Sequence, residues 1–148
     1  MRRDRRGIER VNQAYSDVRD HATVVEGIRR TVETAAITAA QVGELYSGVG
    51  DPELLARLDR QMEETLDTVR VGLQNAEKEA SFAASRMDEA EARILRRDLE
   101  DEPIHPYRQK TCGDRYDEMR SLKDGIDRRV AQIETMAGKV QQVYDRLQ

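Results

Sequence analysis

The chain has 148 residues, enough for one domain and short for two, and 36% of them are charged against only 4% aromatic, with one Phe and no Trp. Ala, Glu, Lys, Leu and Arg make up roughly 44% of the sequence, the composition of long helices and coiled coils, and the core available is a thin one of Leu, Val, Ile, Met and Ala. The net charge is −4 with both signs mixed along the chain, which argues against a dedicated nucleic-acid binder, and the single cysteine, Cys112, excludes an internal disulfide.

The first predicted element is a helix from about Ile8 to Ser47. Ile8, Val11, Tyr15, Val18, Ala22, Val25, Val32, Ala36, Ala39 and Tyr46 recur at three- and four-residue steps and form one apolar seam, interrupted by Arg29 and Gly43. A second line, Val24, Ile28, Thr31, Ala35, Thr38, Val42 and Leu45, lies about 100° or more from the first, and Ile37 lies further out still. Before this helix, Arg2, Arg3, Arg5 and Arg6 oppose the macrodipole, so fraying is expected there.

A break follows at Ser47–Glu53. Gly48 or Gly50 is expected in the left-handed position that ends a helix, with Asp51 capping the next, Pro52 at its first position and Glu53 complementing its dipole. The second helix then runs to about Asp101. Met62, Leu66, Val69, Leu73, Ala76, Ala80, Ala83, Met87, Ala90 and Ile94 fill its a and d positions without a miss, and alanine at d from residue 76 onward lets a neighbour approach closely. Pro103 and Pro106 forbid a continuous helix through the second break. The third helix, about 107–147, carries Cys112, Met119, Ile126, Ile133, Val140 and Leu147 in strict sevens, and Leu122, Met136 and Val143 widen that stripe enough to touch two neighbours.

Short links make consecutive helices antiparallel. The predicted fold is therefore all-α, an elongated up-down-up antiparallel three-helix bundle with coiled-coil-like heptad packing, forming a single domain over residues 1–148; about 40 residues per helix give a rod of roughly 60 Å. In architecture this resembles a spectrin-type repeat or the regulatory three-helix domain of syntaxins, although the tryptophans that spectrin repeats bury are missing here.

Little catalytic chemistry is on offer. His21 and His105 are the two histidines, no Glu-x-x-His pair exists, and His21 beside Asp17 and Asp20 reads as an exposed helical histidine with no second helix to complete a metal site. Cys112 occupies a core position, where a thiol behaves as a small hydrophobe. No enzyme, cofactor, metal or small-molecule substrate is expected. No apolar run approaches a membrane span, and no apolar stretch follows the N-terminal arginines to make a secretion signal; the expected setting is cytoplasmic or within a larger intracellular or viral assembly.

The expected function is a structural or adaptor role in a larger assembly, carried by helical and coiled-coil packing against a protein partner or a second copy. The alternative is a small chaperone or regulatory bundle that sequesters an amphipathic helix of a client, such as a secretion substrate. The expected contact surface joins Val24, Ile28, Ile37, Val42 and Leu45 of the first helix, Leu54 and Leu58 of the second, and Met136, Val143, Tyr144 and Leu147 of the third. At the other end, Arg2, Arg3, Arg5 and Arg6 stand near Arg93, Arg96, Arg97, Arg108 and Lys110 and could grip an acidic partner, phosphate or a membrane surface, but Asp98, Glu100, Asp101 and Glu102 share the region and local pairing is the expectation.

Overall fold

The structure, a computed structural model, describes residues 3–148; Met1 and Arg2 of the basic N-terminus lie outside the described residues. Three helices account for the architecture: α1 (Arg5–Tyr46), α2 (Pro52–Arg97) and α3 (Cys112–Leu147). The fold is an all-α three-helix bundle, as the periodicity predicts. Residues seven apart form the core of each helix. Val11, Val18, Val25, Val32 and Ala39 of α1, Met62, Val69, Ala76, Ala83 and Ala90 of α2, and Cys112, Met119, Ile126, Ile133 and Val140 of α3 are all buried.

The chain divides into two compact units, each built from pieces of all three helices: Met1–Val25 with Lys78–Asp127, and Glu26–Glu77 with Arg128–Gln148. In the first unit α1 and α2 run antiparallel. Asp4 lies 3.9 Å from Arg97 and Asp17 3.5 Å from Arg86, while His21 meets Glu79. The third helix joins them where the Arg115 guanidinium stacks 4.1 Å above the Tyr15 ring and the Tyr116 hydroxyl donates to Glu91 at 2.5 Å. In the second unit α1 and α2 are again antiparallel, with Tyr46 against Asp59 and Val32 against Gly72. There α3 runs parallel to α1, Arg129 meeting Glu26 and Val143 meeting Gly43, and Arg70 of α2 donates to Gln141 of α3 at 2.6 Å.

Helix ends depart from the predicted ones by a few residues, each for a local reason. Asp4 accepts the Gly7 amide at 2.9 Å and so caps α1 three residues earlier than Ile8. Asp51 caps α2 as predicted, accepting the Glu53 amide at 3.0 Å, with Pro52 at the first helical position. The expected left-handed glycine at 48 or 50 is not found: no described glycine has positive φ, and the last turn of α1 closes through the Gly48 amide on the Leu45 carbonyl.

The left-handed residue is instead Asp98, with φ 52°. It ends α2 at Arg97, four residues before the predicted end, because the Leu99 amide turns back to the Ile94 carbonyl at 3.0 Å in a Schellman arrangement. That turn delivers Leu99 into the core of the first unit, 1% exposed, where its Cδ1 would lie 2.9 Å from a Cβ added at Gly7.

The second break is longer than the two prolines suggest, and α3 begins at Cys112 rather than Tyr107. Thr111 and Asp114 form a reciprocal capping box, the Asp114 amide on the Thr111 hydroxyl at 3.1 Å and the Thr111 amide on the Asp114 carboxylate at 2.9 Å. Hydrogen bonding to the Asp114 carboxyl by the Thr111 backbone amide first, and then by the Thr111 side chain, holds it below its ordinary range. Loop carbonyls take the first amides of α3, Glu102 accepting Cys112 at 2.8 Å and Glu100 accepting Gly113 at 2.9 Å. Ile104 is buried beneath this loop, held by a bridge between Pro103 and Thr111 and by Asn12, whose amide donates to the Ile104 carbonyl at 3.0 Å.

Two glycines mark close approaches between helices. A Cβ at Gly72 would lie 2.7 Å from Val32 Cγ2, and one at Gly43 would lie 2.9 Å from Val143 Cγ1. Gly27 and Gly138 face open space. Gly27→Ala and Gly138→Ala should therefore each raise stability by about 0.5–1 kcal/mol, the ordinary helix gain. Gly72→Ala should lower it by about 1–2 kcal/mol, because stiff, fully buried Val32 must move. Urea unfolding followed by circular dichroism measures all three.

Candidate interaction surfaces

In the second unit the outer seam of α1 and α2 opens into a groove of about 450 Å³ lined by Thr31, Thr34, Ala35 and Thr38 of α1 and Gln61, Glu64, Thr65 and Thr68 of α2. Threonine is amphipathic, so what such a groove offers depends on where its hydroxyls go. All five are spent on their own helices: Thr31 donates to the Gly27 carbonyl, Thr34 to Arg30, Thr38 to Thr34, Thr65 to Gln61 and Thr68 to Glu64, at 2.7 to 3.2 Å. Each donor is satisfied internally, so the threonines offer their γ-methyl groups beside the polar side chains of Gln61 and Glu64.

Leu45 lies one heptad beyond Thr38 on α1, and Leu54 one heptad before Gln61 on α2, so both continue the stripes that line the groove. Because the two helices are antiparallel there, these leucines stand at the same end of it. They are 59% and 41% exposed.

The remaining predicted contact residues fall into distinct places. Ile28 is half-buried, its Cγ2 3.4 Å from a Cβ added at Gly72. Ile37 projects into solvent from α1, 54% exposed, away from the groove lining. Val42 and Leu58 are buried in the core of the second unit. Val143, Tyr144 and Leu147 are half-buried, Val143 over Gly43. Met136 lines a separate shallow depression of about 410 Å³ with Arg29, Ala131, Gln132 and Thr135. Val24 is exposed but belongs to the first unit. The second apolar line read on α1 contains Thr31, Ala35 and Thr38 of this groove, whereas Thr34, Thr65 and Thr68 were not read; a signal for the α2 side was there in the three- and four-residue steps Gln61, Thr65, Thr68. It also passed over exposed Val71 in the second unit and Phe82, Leu95 and Tyr107 in the first.

Comparison of the chain with protein-family models, curated proteins and solved structures gives no match. The reading of these surfaces therefore rests on their geometry.

The first unit carries a surface of different character. A cleft of about 810 Å³ on the outer side of α1 and α2 is lined by Arg10 and Asp17 of α1, by Arg86, Asp88, Glu89, Arg93, Arg96 and Arg97 of α2, and by small residues including Ala14 and Ala90. The expected local neutralisation is incomplete. Lys110 is paired, 2.5 Å from Glu118, but Asp98, Glu100, Asp101 and Glu102 form no ion pair with an arginine among the described residues. Burial pushes the Glu118 carboxyl up, and Lys110 and Arg115 together outweigh it and hold the group below the carboxylate range.

Catalytic groups are sparse on either surface. Among the described residues no cluster of three or more His, Cys, Asp or Glu is placed to hold a metal, and no helix is long and apolar enough to cross a membrane. Cys112 is fully buried, and that burial pushes its thiol up, away from the reactive thiolate.

Arg29, the polar interruption of the first apolar seam, is explained by an ion network in the second unit. Its guanidinium donates to Glu26 at 2.9 Å and to Glu33 at 2.5 Å, and Arg129 also donates to Glu26 at 2.5 Å. The hydrogen bonds from Arg29 first, then Arg129, hold the Glu26 carboxyl down at about 2. A carboxyl depressed in the folded state stabilises the fold fully above its unfolded value near 4.5 and loses that contribution as pH falls through about 2. Glu26→Gln should flatten the acid limb of the stability profile between pH 4.5 and 2 relative to the natural chain, measured by thermal unfolding across that range.

Proposed function

We propose that the protein is a non-catalytic structural or adaptor subunit that works by helix-to-helix packing with another protein chain, and that the α1/α2 groove of the second unit is its docking surface. The observation that carries this reading is the combination of five internally satisfied threonine hydroxyls with two exposed leucines at the end of the same groove. A groove between two antiparallel helices accommodates the ridge of a third helix, and its back-bonded threonines beside Gln61 and Glu64 suit an amphipathic guest whose polar edge meets those two side chains.

A helix of a second copy is the occupant the surface favours. The same unit presents Ile37 as an exposed apolar knob outside the groove, so one chain supplies both a recess and a projection. Such a contact is heterologous, joining two different patches, and it closes into a ring or extends as a filament according to its rotation. An adaptor role would use the same groove for an amphipathic helix of a different protein.

Sedimentation velocity over a wide concentration range checks this. The natural chain should associate, and Leu45→Glu, Leu54→Glu and Ile37→Glu should each return it to monomer with helicity unchanged, because burying an unpaired carboxylate costs several kcal/mol. A natural chain that stays monomeric throughout, or variants that associate as before, would contradict the proposal. Unfolding of the monomer by these substitutions would show that the three side chains serve the fold instead.

A further inference from the structure

The cleft of the first unit gathers five guanidinium groups, and they are not equivalent. Arg86 is neutralised, 3.5 Å from Asp17 and 3.0 Å from Glu89, and Arg97 has Asp4 at 3.9 Å. Arg10, Arg93 and Arg96 make no hydrogen bond or ion pair among the described residues, and Arg93 is half-buried. With Asp17 and Glu89 engaged by Arg86, Asp88 is the remaining carboxylate in the lining.

Arginines in the last turns of a helix complement its dipole, and that accounts in part for Arg93, Arg96 and Arg97 near the end of α2. The dipole does not account for Arg10, which arrives from α1 to join Arg93 and Arg96 in one cleft. Three guanidinium groups without an acceptor among the described residues, lining one cleft from two helices, call for an anion. Alanines on the floor leave the room that it would occupy.

We propose that this cleft binds a small polyphosphate-type anion, gripped by Arg10, Arg93 and Arg96. Guanidinium forks match the paired oxygens of phosphate, and charge-assisted bonds of this kind are about twice as strong as neutral ones. Two observations select a compact anion over a nucleic-acid strand. No aromatic side chain lines the cleft to stack on a base, and the net charge of −4 gives the chain no long-range attraction for a polyanion. Recognition is therefore short-range, by contact with the phosphate chain itself. Whether that chain comes free or carried on a nucleoside is a separate question with the same chemistry.

Isothermal titration of the full chain with inorganic tripolyphosphate at about 0.1 M salt, where longer-range attraction is largely screened, tests the site. One equivalent should bind. Arg10→Gln, Arg93→Gln and Arg96→Gln should each weaken binding about tenfold or more, the loss expected for one charge-assisted bond, while Arg57→Gln in the second unit should leave it unchanged. The double variant Arg93→Lys with Arg96→Lys keeps the charge and loses the forks. It should bind more weakly than the natural chain and more tightly than the double glutamine variant, and it decides the matter if a glutamine variant loses helicity. Adenosine triphosphate binding as tightly as tripolyphosphate supports recognition of the phosphate chain alone. Absence of binding, equal binding by all variants, or attachment to anionic phospholipid vesicles that tripolyphosphate does not compete away would overturn the proposal. The site lies in a different unit from the docking groove, so loss of one result leaves the other standing.

Discussion

Everything in this structure depends on a seven-residue spacing of small apolar side chains, kept by all three helices. Valine dominates those positions on α1, alanine on most of α2, and methionine, isoleucine and valine on α3, and no Trp or Phe is among them. Such a core is thin. Each buried Val, Ile or Met contributes on the order of 1.5–3 kcal/mol and each alanine less, so the helices must come close for packing to be effective. Gly72 and Gly43 permit that approach, and a methyl group at either position would strike a buried or half-buried valine. A core this narrow also explains why its ends are closed carefully. Leu99 and Ile104, side chains of a loop, cover the core where α2 stops and α3 starts.

What was legible in the sequence follows from the same spacing. Periodicity is a property of regular helix, so the three helices, their strict sevens and the capping run Asp51, Pro52, Glu53 could be read directly. The segment from Asp98 to Thr111 could not, because its structure comes from a left-handed aspartate and from backbone bonds between a loop and the start of a helix. Neither leaves a period. Glycine is the residue expected at a left-handed helix end, and Asp98 takes that conformation while Gly48 and Gly50 do not.

The groove proposed as a docking surface was half legible. Leu45 and Leu54 belong to the second apolar line and the leucine-rich start of α2, but Val42 and Leu58 look equivalent by composition and are buried. A shift of a few residues within the line separates core from surface, and only packing decides it. Threonine posed a different difficulty. Whether Thr65 and Thr68 present a hydroxyl or a methyl group depends on back-bonding to carbonyls four residues earlier, a fact of rotamer and not of sequence. The arginines were misread for a related reason: counting carboxylates nearby in sequence suggested neutralisation, yet among the described residues the acids of the loop form no ion pair with them and Arg10, Arg93 and Arg96 keep no partner.

The parallel register of α1 and α3 in the second unit is the central structural claim, and a designed cross-link measures it. With Cys112→Ala removing the natural thiol, Gly43→Cys and Val143→Cys place two cysteines where a Cβ at 43 already lies 2.9 Å from the Val143 side chain. Air oxidation should produce an intramolecular disulfide in nearly all of the folded chain, seen as a mass loss of two hydrogens with no increase in size on a non-reducing gel. Free thiols, or cross-linked dimers in place of the internal bond, would contradict the register and the heptad packing that sets it.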